Sequence, residues 1–131
     1  MSVLNKIYLV LLTFVLVTLS PKSIDGICTG ARWIQSGVTV AGGKGAGQDL
    51  HQLSSPDGLF VEGNGNVYVV DSGNNRIMKW DNGAFTGYII AGGDKPGNSS
   101  DELNYPIDMF VDSNGTMYMS DFNNNRVQKW F

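Results

Sequence analysis

Asp71, Asn75, Arg76 and Trp80 fall within one ten-residue stretch, "DSGNNRIMKW", and the same residue types recur in "DFNNNRVQKW" as Asp121, Asn125, Arg126 and Trp130. A carboxylate, carboxamides, a guanidinium and an indole so close together could do acid–base chemistry beside an aromatic stacking surface. An active site, however, uses one copy of such a set. Here the two copies lie fifty positions apart with no insertion between them, which points to one turn built twice. Asp71 and Asp121 can accept backbone N–H bonds from the loop that follows each of them. Arg76 and Arg126 can bridge to a carboxylate or a carbonyl. Turn chemistry explains every polar residue in the stretch.

The rest of the chain keeps the same period. Leu53 and Pro56 recur as Leu103 and Pro106, Gly65 as Gly115, Tyr68 as Tyr118, and "AGG" at 41–43 as "AGG" at 91–93. A fixed long period is the mark of a repeat architecture. Within one unit the pattern predicts four antiparallel strands. "GLFVEG" (58–63) is a nearly continuous apolar run, as for a strand buried on both faces. Asn64-Gly65 predicts a tight type I′ hairpin, and Ser113-Asn114-Gly115 the same in the second unit. "NVYVVD" (66–71), "RIMKW" (76–80) and "GYIIAGG" (87–93) follow as strands. In the third, Arg76, Met78 and Trp80 point one way, Ile77 and Lys79 the other. Gly73-Asn74-Asn75 suits a turn that visits left-handed backbone. Four short antiparallel strands per unit of this length read as one blade of a β-propeller, and the fold class as all-β.

Other motifs yield less. "AGGKGAG" (41–47) lacks the Ser or Thr that a phosphate-binding loop needs after its lysine, since Gly45 follows Lys44. It reads as a connection between blades. Trp33, Trp80 and Trp130 recur once per unit and fit inter-blade packing better than ligand stacking. His51 is the only histidine; with no partner ligand it reads as a solvated loop residue, not a metal ligand.

Composition bounds the partners. The chain of 131 residues carries a net charge of −3 with a pI near 4.8, which argues against an electrostatic grip on nucleic acid. Lys6 precedes a thirteen-residue apolar run, Ile7–Leu19. That is the plan of a secretory signal peptide, and it is shorter than the roughly twenty residues that cross a bilayer. Residues 1–26 are therefore assigned as a signal peptide with cleavage between 20 and 26, residues 27–36 as an N-terminal segment, and 37–131 as the propeller portion. The expected location is extracellular, with no membrane association after cleavage. Cleavage at Gly26 removes Lys6, Lys22 and Asp25 and takes the charge from −3 to −4. Cys28 then remains as the only cysteine, suggesting an intermolecular pair or a partner beyond this chain. Asn98-Ser99-Ser100 and Asn114-Gly115-Thr116 are glycosylation acceptors in that compartment.

"YVVDSGNNRIMKW" and "YMSDFNNNRVQKW", each preceded by a P-x-x-x-F-V strand and an Asn-Gly hairpin, resemble NHL repeats from about Trp33 to Phe131. The signature positions are Asp71, Asn75, Arg76 and Trp80 with Asp121, Asn125, Arg126 and Trp130. The resemblance implies a closed, usually six-bladed propeller that acts mainly as a binding scaffold. It also brings two alternatives: a metal-dependent, peptide-amidating lyase whose ligands lie in other blades, and the substrate- or RNA-binding propeller of tripartite-motif proteins. One cysteine and one histidine exclude a RING in this chain. No catalytic, metal or cofactor residue is assigned, and the protein or small ligand bound is not identified by any residue.

The strand count leaves a remainder. Units at about 53–93 and 103–131 supply four and three strands, and "GVTVAGG" (37–43) matches the fourth strand "GYIIAGG" without a blade of its own. Two blades cannot close a ring. The expectation is a portion of a longer protein; the alternative is a head-to-tail homotrimer that closes a six-bladed ring.

Overall fold

The structure is a computed structural model that describes residues 36–93 and 95–131. The assigned signal peptide, Cys28 and Trp33 lie outside the described residues. The chain divides into Met1–Gly37 and Val38–Phe131, and every strand among the described residues falls in the second part. The fold is all-β. The first sheet takes the order β1 (Pro56–Val61), β2 (Val67–Asp71), β3 (Arg76–Trp80), β4 (Tyr88–Gly92). The second takes the order β5 (Pro106–Val111), β6 (Met117–Asp121), β7 (Arg126–Trp130). All neighbours are antiparallel. Among the described residues no helix is long and apolar enough to cross a membrane.

Residues paired across antiparallel strands share a face, so the ladders sort each sheet into two sides. Leu59 pairs with Val69 and Val69 with Met78, while Val61 pairs with Val67 and Val67 with Trp80. These make the front of the first sheet. Phe60, Tyr68 and Lys79 are aligned on the back, beside Val70 and Ile77. The second sheet repeats this at an offset of fifty: Met109, Met119 and Gln128 on its front, Phe110, Tyr118, Ser120 and Val127 on its back. The predicted alternation in 76–80 is as observed: Met78 and Trp80 pack in one cluster, Ile77 in the other.

The two sheets stack back to front. Tyr68, Val70, Ile77 and Ala91 pack against Leu103, Met109, Val111 and Met119. Burial of that many apolar side chains is the main attraction between the sheets. A second cluster on the front of the first sheet joins Val67, Val69, Met78 and Trp80, with Ala41 and Leu53 against it.

Three expectations are corrected. First, the 58–63 segment is not buried on both faces. It forms β1 from Pro56, and Leu59 and Val61 are 64% and 52% exposed. β1 is an edge strand, and among the described residues no second sheet lies on the front it belongs to. Second, the hairpins are not type I′ with two positive-φ residues. Glu62 and Asn66 close a three-residue loop in which Gly65 alone has positive φ (89°), and its N–H donates to the Glu62 carbonyl at 2.9 Å. Asp112, Thr116 and Gly115 (φ 82°) repeat it. This is the type I turn with a glycine bulge, the next commonest hairpin after the two-residue kind. Third, residues 37–43 form no strand. A strand exists only where a ladder partner lies beside it, and none pairs with this segment among the described residues. Its conformation still echoes β4: Gly42 and Gly43 have φ of 66° and 85°, as Gly92 and Gly93 have 63° and 121°. Val40 to Gly43 line a cleft at Trp80 as Ile90 to Gly93 line one at Trp130.

Leu103 is fully buried between the sheets, so Leu103→Ala is expected to cost ~2–5 kcal/mol in denaturant unfolding. Open space surrounds the Cβ position of Gly115, so Gly115→Ala should cost only the ~1–2 kcal/mol of a left-handed residue. Gly92→Ala should cost more than that, because the Asn75 carbonyl oxygen occupies the place of the new methyl.

Candidate functional site

Asp71 ends β2 and Arg76 begins β3, so the turn Ser72–Asn74 with Asn75 places them as a ladder pair. Asn75 takes φ 55° and ψ 39°, the left-handed conformation expected of this stretch, and its N–H donates to the Ser72 carbonyl at 3.1 Å. The Asp71 carboxylate is fully buried. One oxygen, Oδ1, accepts the Ser54 N–H at 2.6 Å. The other, Oδ2, accepts Asn74 Nδ2 at 2.8 Å and Arg76 Nε at 2.7 Å. Arg76 spends its remaining nitrogens on carbonyls of the segment before β1: Nη1 on Gln48 at 2.7 Å, Nη2 on Asp49 and Gln52 at 3.3 and 3.2 Å. Asn74 Nδ2 also donates to the Gly47 carbonyl at 2.8 Å.

The second copy repeats each of these bonds and adds two from Gln128 Nε2, to the Glu102 carbonyl at 2.9 Å and to Asp121 Oδ2 at 3.5 Å. Asp121 accepts the Asn104 N–H at 2.7 Å, Asn124 Nδ2 at 2.8 Å and Arg126 Nε at 2.8 Å. Arg126 holds the Asn98, Ser99 and Glu102 carbonyls at 2.7, 2.8 and 2.8 Å, and Asn124 holds that of Gly97 at 2.7 Å. Each set is a clasp that ties the segment before the first strand of its sheet, 47–54 or 97–104, onto the middle of that sheet.

What the clasp can do chemically follows from its saturation. Every oxygen of the carboxylate and every nitrogen of the guanidinium is engaged, so neither is free for a substrate. The expected N–H donors from the following loop are corrected: the backbone donors are Ser54 and Asn104, which precede β1 and β5. The following loop supplies side-chain amides instead, from Asn74 and Asn124. A main-chain donor leaves no trace in residue type, so the sequence does not show it. Asn75 and Asn125, singled out by the sequence, set the turn. Asn75 Oδ1 also accepts the Tyr105 N–H at 2.9 Å, and the Ser72 hydroxyl donates to the Pro106 carbonyl, so this turn links the two sheets.

Burial alone would push the Asp121 carboxyl up, but its bonds from Asn124, the Asn104 N–H and Arg126 outweigh that and hold it below the usual range.

The other flagged residues serve packing. Trp80 is fully buried in the front cluster, its indole N–H without an acceptor among the described residues. Trp130 packs between the sheets, and its N–H donates to Gln128 Oε1 at 2.9 Å. Met78 occupies the position equivalent to Gln128, which removes that acceptor from the first unit. His51 is not simply solvated: it is half-buried and stacks on Phe85 with centroids 6.2 Å apart, while Lys44 Nζ lies 5.3 Å from the same ring. No three His, Cys, Asp or Glu side chains converge on a point among the described residues. Asn98 and Asn114 are both exposed. No protein-family model matches the chain, and no curated protein matches it.

Asp71→Asn leaves the Arg76 charge buried without its counter-ion, with a side chain only 3% exposed, and should cost ~3–5 kcal/mol in equilibrium unfolding. Asp121→Asn should cost less, since the Arg126 side chain is 30% exposed and keeps some hydration. Because the folded Asp121 pKa lies below the unfolded value of ~3.9, its contribution is complete above that pH and lost as pH falls through the folded pKa. Urea midpoints measured from pH 6 to pH 2 should therefore fall less steeply for Asp121→Asn than for the parent chain.

Proposed function

We propose that this chain is the repeat portion of a secreted β-propeller of the NHL type and that it works as a non-catalytic scaffold binding a protein or small ligand. The observation that carries the reading is the doubled clasp. The same buried carboxylate–guanidinium set anchors the same segment to the same kind of sheet at an offset of fifty, and the two sheets stack back to front. Consecutive blades of a propeller have this relation.

The most reactive residue types in the repeat are locked inside the clasps. That favours a framework whose exposed loops do the recognising over an enzyme whose repeated polar set does the work. The acidic balance favours a partner other than nucleic acid. The apolar run Ile7–Leu19 after Lys6 and the exposed sequons at Asn98 and Asn114 favour passage through the secretory route.

Expressed in cells of a secreting eukaryote, the chain should reach the medium carrying glycans. Glycosidase treatment should then shift its mobility, and Asn98→Gln with Asn114→Gln together should abolish the shift. Retention inside the cell without glycans would contradict the secreted reading. The released chain should bind its ligand saturably and return it unchanged. Turnover that depends on added zinc and disappears with a chelator would contradict the scaffold reading.

A further inference from the structure

The contact between the two sheets is heterologous, since the back of the first meets the front of the second. Among the described residues, parts of the two complementary outer faces of that same contact are exposed. On the front of the first sheet, Leu59 and Val61 are 64% and 52% exposed. Their equivalents fifty residues on, Met109 and Val111, are each 7% exposed because the first sheet covers them. On the back of the second sheet, Phe110 and Val127 are 57% and 71% exposed. Their equivalents Phe60 and Ile77 pack against the second sheet, and Ile77 is fully buried there. The rest of that front, Val67, Val69, Met78 and Trp80, is already buried with Ala41 and Leu53 against it. The exposed apolar surface is therefore the β1 strip Leu59 and Val61 on one side and Phe110 with Val127 on the other, and exposed apolar surface of this kind marks interaction sites.

The polar link between the sheets is laid out in the same way. Asn75 Oδ1 accepts the Tyr105 N–H, with Tyr105 held at φ 52°. The equivalent acceptor Asn125 is exposed on the second sheet, and the equivalent donor residue Ser55, at φ 47°, is exposed beside the first. One polar feature is not repeated: Phe122 replaces Ser72, so an exposed ring stands where a hydroxyl crosses the internal contact.

We infer that the exposed back of the second sheet docks on the exposed front of the first sheet of another copy of this chain, head to tail. The argument for this occupant is continuity with the interface already built inside each chain. A second copy presents at the contact Phe110, Tyr118 and Val127 in place of Phe60, Tyr68 and Ile77, with Ser120 in place of Val70 as a polar exchange on that face. A contact of this kind closes into a ring when its rotation suits, and otherwise adds units without limit. The inference rests on the stacking of the sheets and extends the propeller reading by naming what covers these faces.

The test is light scattering after size exclusion on the chain as cells produce it, over a hundredfold range of concentration. The parent should show a mass of two or more chains. Val127→Asp, which blocks the back, and Leu59→Asp, which blocks the front, should each give a folded monomer, both positions being exposed in the single chain. Mixed, the two variants should recover a dimer and nothing larger, because one intact front and one intact back remain. A mass that stops at three chains would support the ring as well. Growth without limit would support the contact while removing the ring. A parent that stays monomeric, an assembly indifferent to both substitutions, or a mixture that stays monomeric would overturn the inference.

Discussion

The structure depends on a buried carboxylate that cannot be left alone. Asp71 and Asp121 are both fully buried, and an ionised carboxyl out of water is tolerated only when it is paired and fully hydrogen-bonded. Both conditions are met by groups from three places in the chain: the arginine paired with it across the ladder, the asparagine in the turn, and a main-chain N–H from the segment before the first strand. Satisfying the charge therefore fixes the geometry of all three. The arginine then extends the constraint, since its fork reaches carbonyls that would otherwise sit unpaired over the sheet. A segment poor in apolar residues is held in place by polar bonds to a buried pair. It carries one apolar anchor, Leu53 or Leu103, down onto the sheet beside it.

From that anchor the larger arrangement follows. With Leu103 fixed over the front of the second sheet, the back of the first has a surface to pack on, and the two sheets stack in one sense only. The clasp is thus local, but it decides how one repeat meets the next. The asymmetry of that meeting, back to front, is also why the outer faces of the two stacked sheets differ. A symmetric sandwich would have buried both inner faces at once and left polar ones outside.

Much of this was legible in the sequence, for identifiable reasons. β3 was placed without error because turn residues bound it on both sides and its alternation is strict. The fifty-residue offset transferred each assignment from one unit to the other. Burial of β1 was not legible: an apolar run indicates what a strand can bury, whereas exposure of Leu59 and Val61 depends on which sheet lies against them. The hairpins were misassigned because Asn-Gly serves both two- and three-residue loops. In both loops the residue before the turn is acidic and bonds within the hairpin: Glu62 takes the Asn66 amide at 2.9 Å and the Tyr68 hydroxyl at 2.7 Å, and Asp112 takes the Asn114 and Thr116 N–H groups at 2.9 Å. The segment 37–43 carries the residue pattern of a strand and the glycine conformations of one, but the ladder that makes a strand needs a second edge. As for the clasp, its side chains were readable and its main-chain donors were not.

The most direct test of this account is native-state hydrogen exchange at the Ser54 and Asn104 amides. Both sit in segments with no strand structure, where exchange is ordinarily fast. If each N–H is locked on a buried carboxylate, both should be protected nearly as strongly as the amides of the central strands, and Asp71→Asn should release Ser54 far more than Asn104. Exchange of both at the rate of an open loop in the parent chain would mean that the clasps do not hold these segments. The structural role assigned to Asp71, Arg76, Asp121 and Arg126 would then be wrong.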